Sequence, residues 1–356
     1  MVGNSKLNEW FPHAISPVVI CAPMFGVSNG ALAAEVTRAG GLGMIAAGYI
    51  WSPDSPQLTT LASELSIARE ALGLSSQPEV AIPVGVGFIL CHPSMVHFEA
   101  TVLPILEANV PRAVWLFAQD PDLPTDLIPR VVSKLHALGV VVFSQVGTVA
   151  AARRSASDGV DVIVAQGVDA GGHQNARGAG VVTLVPEVVE MVASEFKTQG
   201  REIVVVAAGG IVDGRGVAAV LALGAEAAVM GTRFLAATDT NTPEFRRKLV
   251  LEATDGGVST IKSNFHDDIQ DTAIWPRVYD GRAIVGPSYQ DFAAGVPLEE
   301  NLGKYSAAQT SGDMSRLVTW AGTGVGLIKE RKTAGEIVKE AREVAKETIR
   351  RIQSIL

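Results

Sequence analysis

One imidazole and two pairs of glycines hold the chemical promise of this chain. His173 lies in the stretch VDVIVAQGVDAGGHQNARGAG, residues 160–180. The apolar run 160–165 reads as a strand, which puts Gln166 at its rim and His173 in the glycine-rich loop beyond. Nothing around His173 has the spacing that would bury it on a helix or strand face. An imidazole takes or gives a proton near neutral pH, so general acid or base work is the expectation for it.

The glycines lie in VVVAAGGIVDGRGVAAVLALGAEAAVMGT, residues 204–232. Two short apolar runs, 203–208 and 227–230, each end on glycine, with a compact helical segment between them. Gly209 and Gly210 remove side chains where the first run stops, and Gly231 with Thr232 repeats the arrangement after the second. Bare main chain at the ends of neighbouring parallel strands suits an anion such as a phosphate. If these runs are the seventh and eighth strands of a (β/α)8 barrel, they form its usual phosphate site.

Other reactive residues carry weaker expectations. His92, in FILCHPS after the third apolar run, falls on the same rim and is a lesser candidate to touch ligand. His13, His97, His136 and His266 read as surface or helix residues. Cys21 reads as a small buried hydrophobe. Asp169 falls on the rim, and Asp213 fits a helix N-cap. The two cysteines and six histidines show neither a CxxC pair nor metal-ligand spacing, so no metal site and no disulfide are expected.

The elements that must position these groups repeat one unit: a short Val/Ile/Ala run, a Gly- or Pro-marked loop, then an amphipathic helix. The runs 18–22, 43–47, 80–86, 113–117, 140–145, 160–165, 203–208 and 227–230 are almost wholly apolar, as parallel strands covered on both faces should be. Helical stretches such as 30–38 and 125–138 separate them. Eight such units predict an α/β fold, a (β/α)8 TIM barrel. Residues 256–313 then break the pattern. They are rich in Gly, Pro and Asp, hold Trp275, Tyr279, Tyr289 and Tyr305, and read as a smaller, lid-like insertion on the substrate side. Residues 314–356 return to the barrel, ending in a helix from 334 with a solvated mixed-charge face.

Bulk properties exclude several classes. The chain has 356 residues, 47% of them hydrophobic, and a net charge of −8 without long like-charge blocks, which argues against nucleic-acid or anionic-membrane partners. Neither a secretory leader nor a membrane span is expected, and Ser354-Ile355-Leu356 lacks the basic middle residue of a peroxisomal tripeptide. A cytoplasmic, reducing location follows as an expectation. Oligomeric state is left open, with a homo-oligomer among the alternatives.

Four motifs in order carry a resemblance. Ala22-Pro23-Met24, Ala165-Gln166-Gly167 followed by Ala170-Gly171-Gly172-His173, Ala207-Ala208-Gly209-Gly210-Ile211, and Met230-Gly231-Thr232-Arg233-Phe234 together resemble the nitronate monooxygenases, formerly 2-nitropropane dioxygenases. Trp320-Ala321-Gly322-Thr323-Gly324-Val325-Gly326 is similar to the fungal members. The resemblance implies FMN bound by residues 1–255. The main chain near Ala22, Pro23 and Met24 would flank the isoalloxazine and Gln166 would reach its polar edge. Gly171, Gly172, Gly209, Gly210, Val229, Met230, Gly231 and Thr232 would hold the ribityl phosphate. His173 matches the family's catalytic base. The reaction implied takes an alkyl nitronate, or a nitroalkane deprotonated by His173, and O2 to a carbonyl compound and nitrite.

Two departures stand out. Some bacterial members carry Asn where this chain reads Gly85-Val86-Gly87-Phe88, and the tyrosine-rich pocket of others has no match in a chain with four tyrosines. The rival reading is an FMN-dependent NAD(P)H reductase of the same superfamily, acting on enoyl thioesters or quinones. Gln166 stands where enoyl reductases tend to carry a carboxylate. Residues 209–214 lack the spacing of a dinucleotide fingerprint. A barrel that binds FMN without turnover is the third alternative.

Overall fold

A computed structural model describes residues 5–120, 122–272 and 274–355; the first four residues and Leu356, on which part of the leader and tripeptide readings fall, lie outside them. The eight expected runs form parallel strands β1 (Val18–Cys21), β2 (Met44–Gly48), β3 (Ile82–Ile89), β4 (Pro111–Phe117), β5 (Val141–Val146), β6 (Val162–Gln166), β8 (Val204–Ala208) and β9 (Ala227–Met230). An extra short strand, β7 (Gly172–Asn175), falls between β6 and β8. The parallel sheet runs β1-β9-β8-β6-β5-β4-β3-β2. Its two edges meet where Cys21 N donates to Leu42 O and Leu42 N to Val19 O, each at 3.0 Å. Those bonds close the ring, so the fold is the expected (β/α)8 barrel.

The strands are apolar throughout because each has two buried faces. Along β1, Val18 and Ile20 point into the barrel, while Val19 and Cys21 point to the layer between sheet and helices. Met44, Trp115, Phe143, Val164 and Val206 fill the interior, with Trp115 and Phe143 stacked at 6.0 Å. The lower end is plugged by the helix Lys6–Trp10 and its neighbour Phe11, and Arg112 Nε donates to Trp10 O at 2.9 Å. That plug precedes the repeat and left no mark in its periodicity.

Strand β3 ends three residues later than its apolar run suggests, because Gly87 and Phe88 pair with Trp115 and Leu116 of β4. Its glycines are a packing requirement. A Cβ at Gly87 would sit 2.3 Å from the Pro23 Cβ, and one at Gly85 would sit 2.2 Å from the Met44 sulfur. Any side chain at 87, asparagine included, would displace the Pro23 ring.

Helices cover the outside, among them Gly30–Arg38, as expected, and Leu127–Ala137, slightly shorter than the 125–138 expected. The helix Ala334–Gln353 completes the outer layer. It starts at a capping box between Thr333 and Glu336 and buries Ile337, Val338, Ala341 and Ala345 against Gly214–Ala222 and Gly30–Arg38. Buried Arg342 on the same face donates to Ile15 O, Ala39 O and Gly40 O at 2.9–3.1 Å. Among the described residues no helix is long and apolar enough to cross a membrane.

Between β9 and that final helix lie the helix Glu244–Glu252, strands β10 (Thr260–Ser263) and β11 (Tyr279–Ile284), and the helices Pro287–Ala293 and Leu298–Ser311. Strand β11 pairs antiparallel with β10 on one side and β7 on the other, with Gly281 opposite His173. His173 therefore sits on a strand, not in the free loop expected. The sequence GHQN has no period, and only its partner, about a hundred residues further on, makes it a strand.

Gly43 tests how tightly the helix Gly30–Arg38 is packed, because a Cβ there would lie 2.0 Å from Ala33 O. Gly43→Ala should destabilise by about 1–3 kcal/mol or more through overpacking. Exposed Gly303, in the helix Leu298–Ser311 with nothing within 4 Å of its Cβ direction, is the control. Gly303→Ala should stabilise by about 0.5–1 kcal/mol. Thermal unfolding midpoints of the two variants check this; equal midpoints would contradict it.

Candidate active site

A cavity of about 530 Å³ opens at the C-terminal ends of the barrel strands, the end where such barrels hold their chemistry. The residues expected from sequence to hold a cofactor line it, with the exception of Met230. The Met230 side chain lies in the layer between sheet and helices, and its carbonyl is taken by the neighbouring strand, accepting from Ala22 N at 3.0 Å.

The glycine wall is a place where distant backbones meet. Gly209 and Gly210 adopt φ of +105° and +74°, a region a side chain resists. A Cβ on Gly171 would stand 2.4 Å from Gly322 N, and one on Gly324 2.9 Å from Gly210 O. Thr232 Oγ1 accepts from Gly322 N at 3.0 Å, and Asp169 accepts from Thr323 through its main-chain oxygen (3.0 Å) and its carboxylate (3.2 Å). The late glycine segment is thereby pinned to the loops after β6, β8 and β9. Bare main chain along this wall can hold a phosphate. Gln166, 7% exposed, donates through Nε2 to His173 O at 3.2 Å, while its Oε1 is buried with no partner among the described residues.

His173 lines the same cavity. Its ring stacks on Trp275 at 3.6 Å and 11°, and meets Trp320 at 4.7 Å and 48°. Trp320 reaches it because Gly281, opposite His173 in the ladder, has no Cβ; one there would lie 2.4 Å from the indole. His173 Nε2 is 2.8 Å from Asp267 Oδ1, with the two side chains 15% and 6% exposed. Thr272 Oγ1 also donates to that oxygen, at 3.3 Å. With Nε2 engaged by the carboxylate, Nδ1 is the nitrogen left for a substrate proton.

Sequence reading missed Asp267. It lies on the short helix Phe265–Asp268, and no spacing links it to a histidine 94 residues earlier. Trp275 was marked only as part of an aromatic insertion. Gln145, another wall residue, accepts from Trp115 Nε1 at 3.0 Å, and its one signal was a polar side chain ending an apolar strand. Tyr279 is half-buried and its hydroxyl donates to Gln119 O at 3.1 Å, and Tyr289 and Tyr305 belong to a separate cluster around Phe265.

The remaining candidates take structural roles. His92 does not line the cavity; its Nδ1 accepts from Ser94 N at 3.2 Å and caps the turn Pro93–His97. Asp213 caps the helix Gly214–Ala222, accepting from Arg215 N and Gly216 N. Burial pushes the Cys21 and Cys91 thiols up to about 12, which disfavours the thiolate at both. His97 and His136 are exposed. His13 departs from the surface-or-helix expectation, sitting half-buried in a turn. His266 is helical but only 2% exposed, with Nε2 on Ile261 O at 3.1 Å. Both pack under apolar neighbours that their sequence positions do not announce.

Residues 123–343 match the family model described as nitronate monooxygenase. The chain is 55% identical to the nitronate monooxygenase of Neurospora crassa, over 98% of this chain and 94% of that protein. It is 33% identical to nitronate monooxygenase npaC of Metarhizium robertsii, covering 96% and 95% respectively. Among solved structures, a nitroalkane oxidase from Streptomyces ansochromogenes aligns with a TM-score of 0.74 at 26% identity, over 98% and 100% of the two chains.

Burial lowers the pKa of His266 and of His13 from the ordinary value. The unfolded chain therefore binds protons first, and stability should be full above about pH 6.5 and fall as pH drops below it. Thermal midpoints between pH 8 and 5 check this, with His266→Gln flattening the acid limb. A midpoint that rises on acidification through that window would contradict it.

Proposed function

The chain belongs to the nitronate monooxygenase family, and from that premise we propose that it oxidises alkyl nitronates with O2 to a carbonyl compound and nitrite, with FMN as cofactor and His173 as base. It is an oxidoreductase. One observation supports the reading above all: a carboxylate-held imidazole lines the same cavity as the bare main chain of Gly171, Gly209, Gly210 and Gly231.

The residues present fit the cofactor. The glycine wall suits its phosphate, and the unpaired buried Gln166 Oε1 is an acceptor waiting for an N–H such as a flavin ring carries. Ala22, Pro23 and Met24 would flank the ring, and Gly171, Gly172, Gly209, Gly210, Gly231 and Thr232 would surround the phosphate. When bound, the flavin supplies the electron acceptor that no side chain here can provide.

The chain's own residues do the rest. His173 Nδ1 takes the proton α to the nitro group of a neutral nitroalkane, and orients the substrate when it arrives as the anion. Asp267 holds the ring in the tautomer that leaves Nδ1 free and faces the positive charge acquired with the proton. Trp275 and Trp320 cover the faces of the imidazole and keep water from them. Gln166 steadies the strand beneath through His173 O. Residues 256–313 serve as the cover on the substrate side.

His173→Asn should lower turnover of neutral nitroalkane by about 10²–10⁴-fold, the range for losing a general base, and cost far less with preformed nitronate. Asp267→Asn should fall in the same direction, and both proteins should keep their flavin absorbance. Unchanged nitroalkane turnover in His173→Asn would remove the base assignment. Mixed anaerobically with NADH, the FMN-loaded enzyme should stay yellow; rapid bleaching would favour the reductase reading instead.

A further inference from the structure

A second cavity, of about 340 Å³, lies beside the catalytic one, within the range of small-molecule sites. It occupies the layer between barrel and helices, bounded by β4 and β5 on one side and by the helices Leu127–Ala137 and Val149–Ser157 on the other. The sequence makes the hole. Ser144 takes the outward position between Val142 and Val146, and its partners on the neighbouring strands are Leu116 and Ile163. Large apolar side chains fill that level of the layer on either side, and a hydroxymethyl stands between them. Opposite, the helix Val149–Ser157 offers Ala151 and Ser155, one turn apart. A cavity left by small residues costs stability unless something occupies it.

The polar groups of this cavity are only partly satisfied. Ser144 Oγ and Ser155 Oγ lie 2.8 Å apart. Two hydroxyls carry two hydrogens, and one is used between them, so one O–H is left without an acceptor among the described residues. Arg154 and Asp158, four residues apart on the same helix, both line the cavity. Among the described residues neither side chain has an ion pair or a hydrogen bond, whereas the adjacent Arg153 is held by both oxygens of Glu195 at 2.7 Å. Asp158 is half-buried, and burial raises its carboxyl's pKa, with Arg154 offsetting that only in part.

A cation and an anion one helical turn apart, beside the apolar walls of Leu90, Leu116, Ile128 and Val146, match a molecule that carries both charges on one end and an apolar tail on the other. We infer that this cavity is a second ligand site, which takes a free α-amino acid with an apolar side chain. Its carboxylate would meet Arg154, its ammonium Asp158, and its side chain the apolar walls. Phe117 and Gln145 line both cavities and form the partition between them, while Arg154, Asp158 and the serine pair belong to the second alone. The inference therefore goes beyond the nitronate reading and stands without it.

Isothermal titration calorimetry of the flavin-loaded protein tests it, with L-leucine, 4-methylpentanoate, 3-methylbutylamine and glycine as probes. Leucine should bind saturably at millimolar concentration or below. The other three each lack one charge or the apolar tail, and should bind at least about tenfold more weakly. Arg154→Gln, at an exposed position, and Asp158→Asn should each weaken leucine about tenfold or more. Ala151→Leu, which puts a side chain into the cavity, should abolish the binding, and all three variants should keep their flavin absorbance. No saturable heat with leucine overturns the inference, and so does 4-methylpentanoate or 3-methylbutylamine binding as tightly as leucine. Leucine affinity unchanged in both Arg154→Gln and Ala151→Leu overturns it too, since the amino acid then sits elsewhere. A protein that turns over no nitronate yet binds leucine through Arg154 and Asp158 loses the reaction reading and keeps this site.

Discussion

The pairing of β7 with β11 is the constraint on which the site depends. Residues 172–175 hang between a barrel strand and a glycine loop and have little reason to be ordered alone. Main-chain bonds to 279–282 fix them, and the register puts Gly281 across from His173. Because cross-strand partners point to the same face, the missing Cβ at 281 leaves the space beside the imidazole for Trp320. A slip of one residue would turn the imidazole to the other face.

Cations bonded to carbonyls hold that small sheet together and tie it to the barrel. Lys262 of β10 donates to Asn175 O at the end of β7 and to the following Ala176 O at 2.7 Å each, and Arg282 of β11 reaches Val168 O, in the loop after β6, at 3.1 Å. Burial raises the Asp280 carboxyl's pKa, partly offset by Lys262 at 3.2 Å. The barrel supplies a rigid floor, and the insertion supplies Asp267, Trp275 and the ladder that aims the base at it. A site divided this way can alter its substrate side without disturbing the glycine wall.

How much was legible follows from how local each signal is. The barrel was readable because an apolar run of strand length, repeated eight times between helices, has few other ways to bury both faces. The glycine wall was readable because close backbone approach excludes side chains, and that exclusion is written in the residue type. Strand β7, the Lys6–Trp10 plug and the Asp267 contact were not readable. Each exists only through a partner far along the chain, and a residue's type does not name its partner.

By itself, then, the sequence determined the barrel, its rim glycines and the histidine beyond β6, since periodicity and the steric freedom of glycine act within a few residues. Tertiary structure alone decided that His173 lies on a strand, that Asp267 holds its Nε2, and that the Met230 side chain faces outward. The physical reason is range: hydrophobic pattern and backbone sterics are local, whereas a hydrogen bond or a charge finds its partner only after the chain has closed on itself.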